Sequence, residues 1–158
     1  MSAATASKLQ QSAQVVVLKI GGLRLMLPQG DVRTLESAGD VTPIDPPENG
    51  VGWIEYKGQR WPVFCPSDEL ALLVSVPVTR RACVLLAVES GYVGILCDDA
   101  SILAHLSAER HEVPSAMRLP GSPICALVML EDGLACFSNA GLLTSFLAAH
   151  AAPAVLMQ

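Results

Sequence analysis

Charge is scarce in this chain: only 16% of its 158 residues are Asp, Glu, Lys or Arg. The acids outnumber the bases, giving a net charge of −5 and a pI near 5.0. That balance argues against a protein that holds nucleic acid on a basic face. Aromatic residues are rarer still, at 4%. Long apolar runs are missing too. The longest, Ala82–Val88 and Ile124–Leu130, have seven residues each, against the ~20 a helix needs to cross a bilayer. The first fourteen residues lack the apolar stretch of a secretory signal, so a cytoplasmic protein with no membrane insertion is expected.

Catalytic and metal-binding patterns are absent as well. The three histidines, His105, His111 and His150, have no Cys or carboxylate at ligand spacing. The cysteines, Cys65, Cys83, Cys97, Cys125 and Cys136, are odd in number and form no C-x-x-C pair. They read as reduced, buried small hydrophobes, neither a disulfide frame nor a zinc site. Cys65, beside Pro66, is the one expected to be reachable by a thiol reagent. Gly21-Gly22 and Gly91 precede strand-like runs, so no helix N-terminus follows them to receive a phosphate. Asp98-Asp99 reads as a solvated turn, and Ser67 and Ser138 fit no nucleophile elbow. Neither an enzyme nor a cofactor binder is expected.

What is present is a 51% apolar composition carried by Val, Leu, Ile and Ala, enough to bury a full core. The chain is organised around residues 51–64. Two strand-like runs there are joined by Lys57-Gly58, a two-residue link whose Gly tolerates positive φ. A hairpin on that link sets Tyr56 opposite Gln59, Glu55 opposite Arg60 and Ile54 opposite Trp61. Ile54, Tyr56, Trp61 and Val63 then share one bulky face. Glu55 and Arg60 fall on the other, as an ion pair worth up to ~1 kcal/mol. Pro62 cannot donate to a ladder, which predicts an edge strand or a bulge there.

Residues 1–14 read as a frayed arm and 151–158 as a loose tail. Between them Val15–Ile20 and Leu23–Leu27 form a hairpin through Gly21-Gly22, and Gly30–Leu35 continues as a bent strand. Thr42–Asn49 is a Pro-rich loop, and Ser67 or Asp68 is expected to cap a short helix over 70–74. The second half repeats the pattern. Ala82–Val88 and Tyr92–Cys97 pair, Ile102, Ala104 and Leu106 alternate, and Val113–Pro123 is a second Pro-containing loop. Ile124–Leu130 and Leu134–Phe137 make another hairpin. A helix over Asn139–His150 follows, capped by Ser138 or Asn139, with Leu142, Leu143, Phe146 and Leu147 on one stripe. Many short strands with little helix predict an all-β assembly. The core is expected from Val15, Val17, Leu25, Ile54, Trp61, Val63, Leu85, Ile95, Leu127 and Phe137.

The run Gly52-Trp53-Ile54-Glu55-Tyr56-Lys57-Gly58, followed by Trp61-Pro62-Val63-Phe64, is similar to the signature hairpin of CheW-like domains. These are the coupling proteins of bacterial chemotaxis and the matching regulatory domain of the chemotaxis histidine kinase. Further matches are Ile20–Pro28 with Asp31-Val32-Arg33, Val41–Ile44, Gly94–Asp98 and Asp132-Gly133-Leu134, so the likeness spans residues 14–147. It implies two five-stranded SH3-like β-barrels packed side by side, with a C-terminal helix. Residues 15–150 are expected to form one domain of two barrels, about 15–80 and 81–150. It further implies a non-catalytic adaptor between a chemosensory histidine kinase's regulatory domain and the cytoplasmic tips of chemoreceptors. Partner contacts are then expected at Lys57, Gly58, Glu55, Trp53, Phe64 and Arg33, with Lys57 where the family has a partner-facing arginine. The sequence departs from the family in Glu55-Tyr56-Lys57 and in Cys65-Pro66. A related scaffold recruiting a protein of another signalling pathway is the alternative reading. A small-molecule sensor using the seam between barrels is a weaker one, because no convergent polar set suits a ligand.

Overall fold

The computed structural model describes residues 14–89, 91–103, 110–113, 121–130 and 133–150. Twelve strands are formed there: β1 (Val15–Ile20), β2 (Leu23–Pro28), β3 (Val32–Ser37), β4 (Gly52–Tyr56), β5 (Gln59–Pro66), β6 (Leu72–Leu73), β7 (Ala82–Val88), β8 (Gly91–Cys97), β9 (Asp99–Leu103), β10 (Arg110–His111), β11 (Ala126–Leu130) and β12 (Gly133–Phe137). One helix, α1 (Ala140–His150), closes the order. The N-terminal arm, the C-terminal tail, Ala104, Leu106, most of the second Pro-containing loop and the 131–132 turn lie outside the described residues.

The strands build two curled sheets, as the all-β twin-barrel expectation required. The first runs β10-β11-β12-β2-β1-β9 and the second β3-β7-β8-β5-β4, with β6 added alongside β5. Among the described residues each sheet counts six strands, the short β6 included. The barrels are also not consecutive halves of the chain. The N-terminal hairpin β1–β2 pairs with β9 and β12, whereas β3–β5 join β7 and β8. The boundary expected near residue 80 is thus replaced by two crossings, one after β2 and one between β8 and β9. Local alternation identifies strands but carries no information on which distant strand each one meets.

The central hairpin has the expected register, with Tyr56 opposite Gln59, Glu55 opposite Arg60 and Ile54 opposite Trp61. Lys57 and Gly58 both take positive φ, 50° and 78°, the backbone of a two-residue turn that matches strand twist. β5 is neither an edge strand nor bulged at Pro62, because it lies between β4 and β8. Proline is tolerated since pairing with β8 begins only at the next residue, Val63 opposite Gly94. The short helix expected after Ser67 is not formed. The Ser67 hydroxyl accepts from the N–H groups of Glu69 and Ala71, and Leu70 sits at φ 65°. That turn sends Leu72–Leu73 back onto Cys65–Pro66 as β6.

Burial falls into three clusters. Val51, Ile54, Trp61, Val63, Cys65, Cys83, Leu85 and Leu96 fill the second sheet. Val15, Met26, Val128, Ala135 and Phe137 fill the first. The largest cluster lies between them, drawing Val16, Leu18, Ile20, Leu25 and Leu27 from one sheet, Val84, Leu86, Val93 and Ile95 from the other, and Leu143, Phe146 and Leu147 from α1. At about 1.5–3 kcal/mol for each large side chain buried, this seam holds the two sheets against each other. It also corrects the expected core. β1 is buried on both faces, with Val16 and Leu18 in the seam, while Val17 is only half-buried. On β11 it is Val128 that points inward and Leu127 that does not.

The α1 N-terminus is satisfied from two sides. Asn139 Oδ1 accepts from the Leu142 N–H at 2.8 Å, and Asp31 Oδ2 from the Ala140 N–H at 2.9 Å. Ser138, the other expected cap, instead donates from within the core to the Pro123 carbonyl.

All five cysteines are free thiols. Cys65, Cys83 and Cys97 are buried, Cys136 is half-buried and Cys125 is exposed, so Cys125 replaces Cys65 as the accessible thiol. Burial pushes Cys83 and Cys97 up to about 12. It also raises Cys65, against the opposing pull of Arg80. In a native protein treated with a thiol reagent, Cys125 should label fast and these three only on unfolding. Mass mapping that finds Cys65 or Cys83 modified first would contradict this packing.

Candidate partner-contact surface

Among the described residues no three His, Cys, Asp or Glu side chains converge as metal ligands. None of the helices there is long and apolar enough to cross a membrane. What the fold does present is the β4–β5 hairpin. Its inner face is anchored by Trp61, whose ring meets Tyr56 edge-on at 5.8 Å and Tyr92 at 4.8 Å. Among the described residues the buried Trp61 Nε1 has no hydrogen-bond partner, so packing holds this indole.

The outer face carries the exposed candidates. Lys57 stands at the tip with its Nζ 5.5 Å from the Tyr56 ring centre, and Gly58 completes the exposed turn. Trp53 is half-buried and donates from Nε1 to the Asp45 carbonyl at 2.7 Å. The Arg60 guanidinium lies over its ring, 4.5 Å from the centroid. This contact replaces the expected Glu55–Arg60 ion pair. Trp53 is the diagonal neighbour of Arg60 across the strands, within reach of a long side chain, and a guanidinium stacks well on indole. Glu55 is left exposed. Beside them lies an open groove of about 360 Å³ lined by Glu36, Asp40, Thr42, Trp53, Ile54, Glu55 and Arg60. The Pro-rich loop reaches it through an antiparallel bridge between Thr42 and Trp53. The approach requires Gly52, where an added Cβ would collide with the Thr42 carbonyl.

Two of the expected contact residues are elsewhere. Phe64 is only 4% exposed and belongs to the seam between the sheets. β5 is buried on both faces, so the side opposite Trp61 is interior as well. Arg33 is exposed on β3, at the bulge where pairing with β7 shifts between Val32 and Thr34. It does not line the groove. Lys57, Gly58, Glu55 and Trp53 do come together on one hairpin.

Sequence reading missed an ion pair between a buried arginine and a half-buried aspartate. Asp98 is no solvated turn residue: its carboxylate accepts from Arg80 Nη1 and from the Gly21 N–H at 2.9 Å, while Arg80 Nη2 donates to the Pro66 carbonyl at 3.0 Å. Desolvation pushes the Asp98 carboxyl up. The Gly21 N–H and the Arg80 guanidinium outweigh it and hold the group below its ordinary value. The pair joins the β1–β2 turn of one sheet to the end of β5 in the other. Its residues lie eighteen apart, at no spacing that a local pattern marks.

Two barrel-like sheets sharing a buried seam define a twin-barrel module. The fold is a divergent CheW-like fold. The chain is similar to the scaffolding protein TtCheW from Thermoanaerobacter tengcongensis, with a TM-score of 0.65 and 14% sequence identity, over 80% of this chain and 88% of that one. No protein-family model and no curated protein sequence matches it.

Proposed function

We propose that this protein is a non-catalytic cytoplasmic adaptor that couples chemoreceptors to a chemosensory histidine kinase. The observation that carries the reading is the charged tip of the central hairpin, Lys57, exposed on a CheW-like twin-barrel fold. The hairpin meets the kinase's related regulatory domain, barrel to barrel. The apolar rim for that contact is Trp53 and the exposed Ile44, with Phe64 no longer part of it. The surface along the boundary between the barrels receives the helical tip of a receptor. A scaffold serving another signalling pathway is the second reading, favoured by the departure Glu55-Tyr56-Lys57 from the family's hairpin and by the replacement of a fork-shaped guanidinium with an ammonium.

Lys57→Glu tests the adaptor reading. The side chain is exposed, so melting should stay within ~0.5 kcal/mol of the parent. Binding to a fragment of the kinase regulatory domain should weaken several-fold, about 1 kcal/mol or more. Equal affinity at equal melting temperature would reduce Lys57 to a solvated turn residue.

A further inference from the structure

We propose that the groove beside β4 takes an extended, basic segment of a partner protein, added as a strand to the open edge of the second sheet. The inference does not rest on the chemosensory reading. It needs only the edge, the groove and their charge.

β4 ends its sheet. Among the described residues its outer edge is used once, by Thr42, which exchanges both backbone bonds with Trp53 at 2.7 and 2.9 Å. Backbone groups alternate in direction along a strand, so the N–H and C=O of Glu55 point to that same edge. No described residue bonds them there, because the chain that supplies Thr42 arrives from the 3-10 turn Ala38–Asp40 and does not continue alongside β4. Thr42 thus shows, within the chain itself, that this edge accepts an antiparallel neighbour. An edge without a proline, bulge or cover is a pairing site in waiting.

Charge selects the neighbour. Glu36, Asp40 and Glu55 line the groove against a single cation, Arg60, which is stacked on Trp53. A segment added antiparallel to β4 sets alternate residues on the face that carries Trp53 and Glu55, and basic side chains there lie among the three carboxylates. The intervening residues turn to the Ile54 side and suit small or β-branched side chains. A second copy of this chain is a poor occupant, because its own net charge is −5 and like charges oppose association.

The probe is a ten-residue peptide alternating lysine and threonine, titrated into the full chain by calorimetry and by tryptophan emission. The chain has two tryptophans, and Trp61 is buried, so the emission change should come from Trp53 and vanish in Trp53→Phe. Glu36→Gln with Glu55→Gln, both outside the three buried clusters, should weaken binding about tenfold with melting unchanged. Methylating the peptide's alternate backbone nitrogens, which keeps its charge, should weaken binding comparably if a strand is added. Four results would overturn the proposal: no saturable binding, equal binding of a glutamate–threonine peptide, indifference to backbone methylation, or a dimer in sedimentation that the Glu36→Gln, Glu55→Gln double variant abolishes.

Discussion

Replacing Trp61 by alanine should lower stability by about 3–5 kcal/mol. The indole is 5% exposed and packs among Ile54, Val63, Leu85 and Leu96, with Tyr56 and Tyr92 against its ring. Its truncation leaves a cavity bounded by strands from β4 to β8, which cannot collapse without disturbing the ladder. Against a total of about 5–15 kcal/mol for a domain, the loss is large enough to leave part of the protein unfolded at 37 °C. Trp61→Phe should cost less than half as much. It keeps most of the apolar area and forfeits no hydrogen bond to any described residue. Urea denaturation measures both, with the midpoint moving and the slope constant. An alanine variant within ~1 kcal/mol of the parent would mean that the indole is not a core side chain.

The hairpin that Trp61 anchors was readable because two local rules agree. A two-residue link sets the register, and alternation then assigns the faces. Each observed pair from Tyr56–Gln59 to Ile54–Trp61 follows from that alone. The same reasoning stops where burial comes from a second sheet. Phe64 and Val16 lie on faces that alternation assigns to the outside, yet both are buried in the seam. A side chain facing away from one barrel faces the other, and only the long-range pairing of β1 with β9 and of β5 with β8 reveals it.

The candidate surface was legible to the same extent. Lys57, Gly58, Glu55 and Trp53 follow from the hairpin itself. Glu36 and Asp40 come to the groove through the bridge between Thr42 and Trp53, which no turn rule anticipates. Pro62 misled for a related reason. The missing donor is real, but the strand beside it begins one residue later.

Removing Asp98 should be more damaging than removing Arg80, although they form one ion pair. The Arg80 side chain is 5% exposed and that of Asp98 23%. Asp98→Ala leaves a buried guanidinium with the Pro66 carbonyl as its remaining oxygen partner, at a cost of about 3–5 kcal/mol. Arg80→Met leaves a carboxylate that water reaches and that still accepts from Gly21, and the thioether chain refills the space, so the loss should be clearly smaller. The double variant should cost less than the sum of the two, since the second change removes the charge that the first one stranded. Acid gives an independent check. The Asp98 carboxyl sits below its ordinary value in the folded protein. It therefore contributes stability above the unfolded carboxyl's range near pH 4, and that contribution is lost as pH falls through the lower folded value. The parent should lose stability across that window more steeply than Asp98→Ala does. Chemical denaturation at several pH values reads both comparisons. An Asp98→Ala variant as stable as Arg80→Met, with the same acid slope as the parent, would show that the pair does not tie the two sheets together.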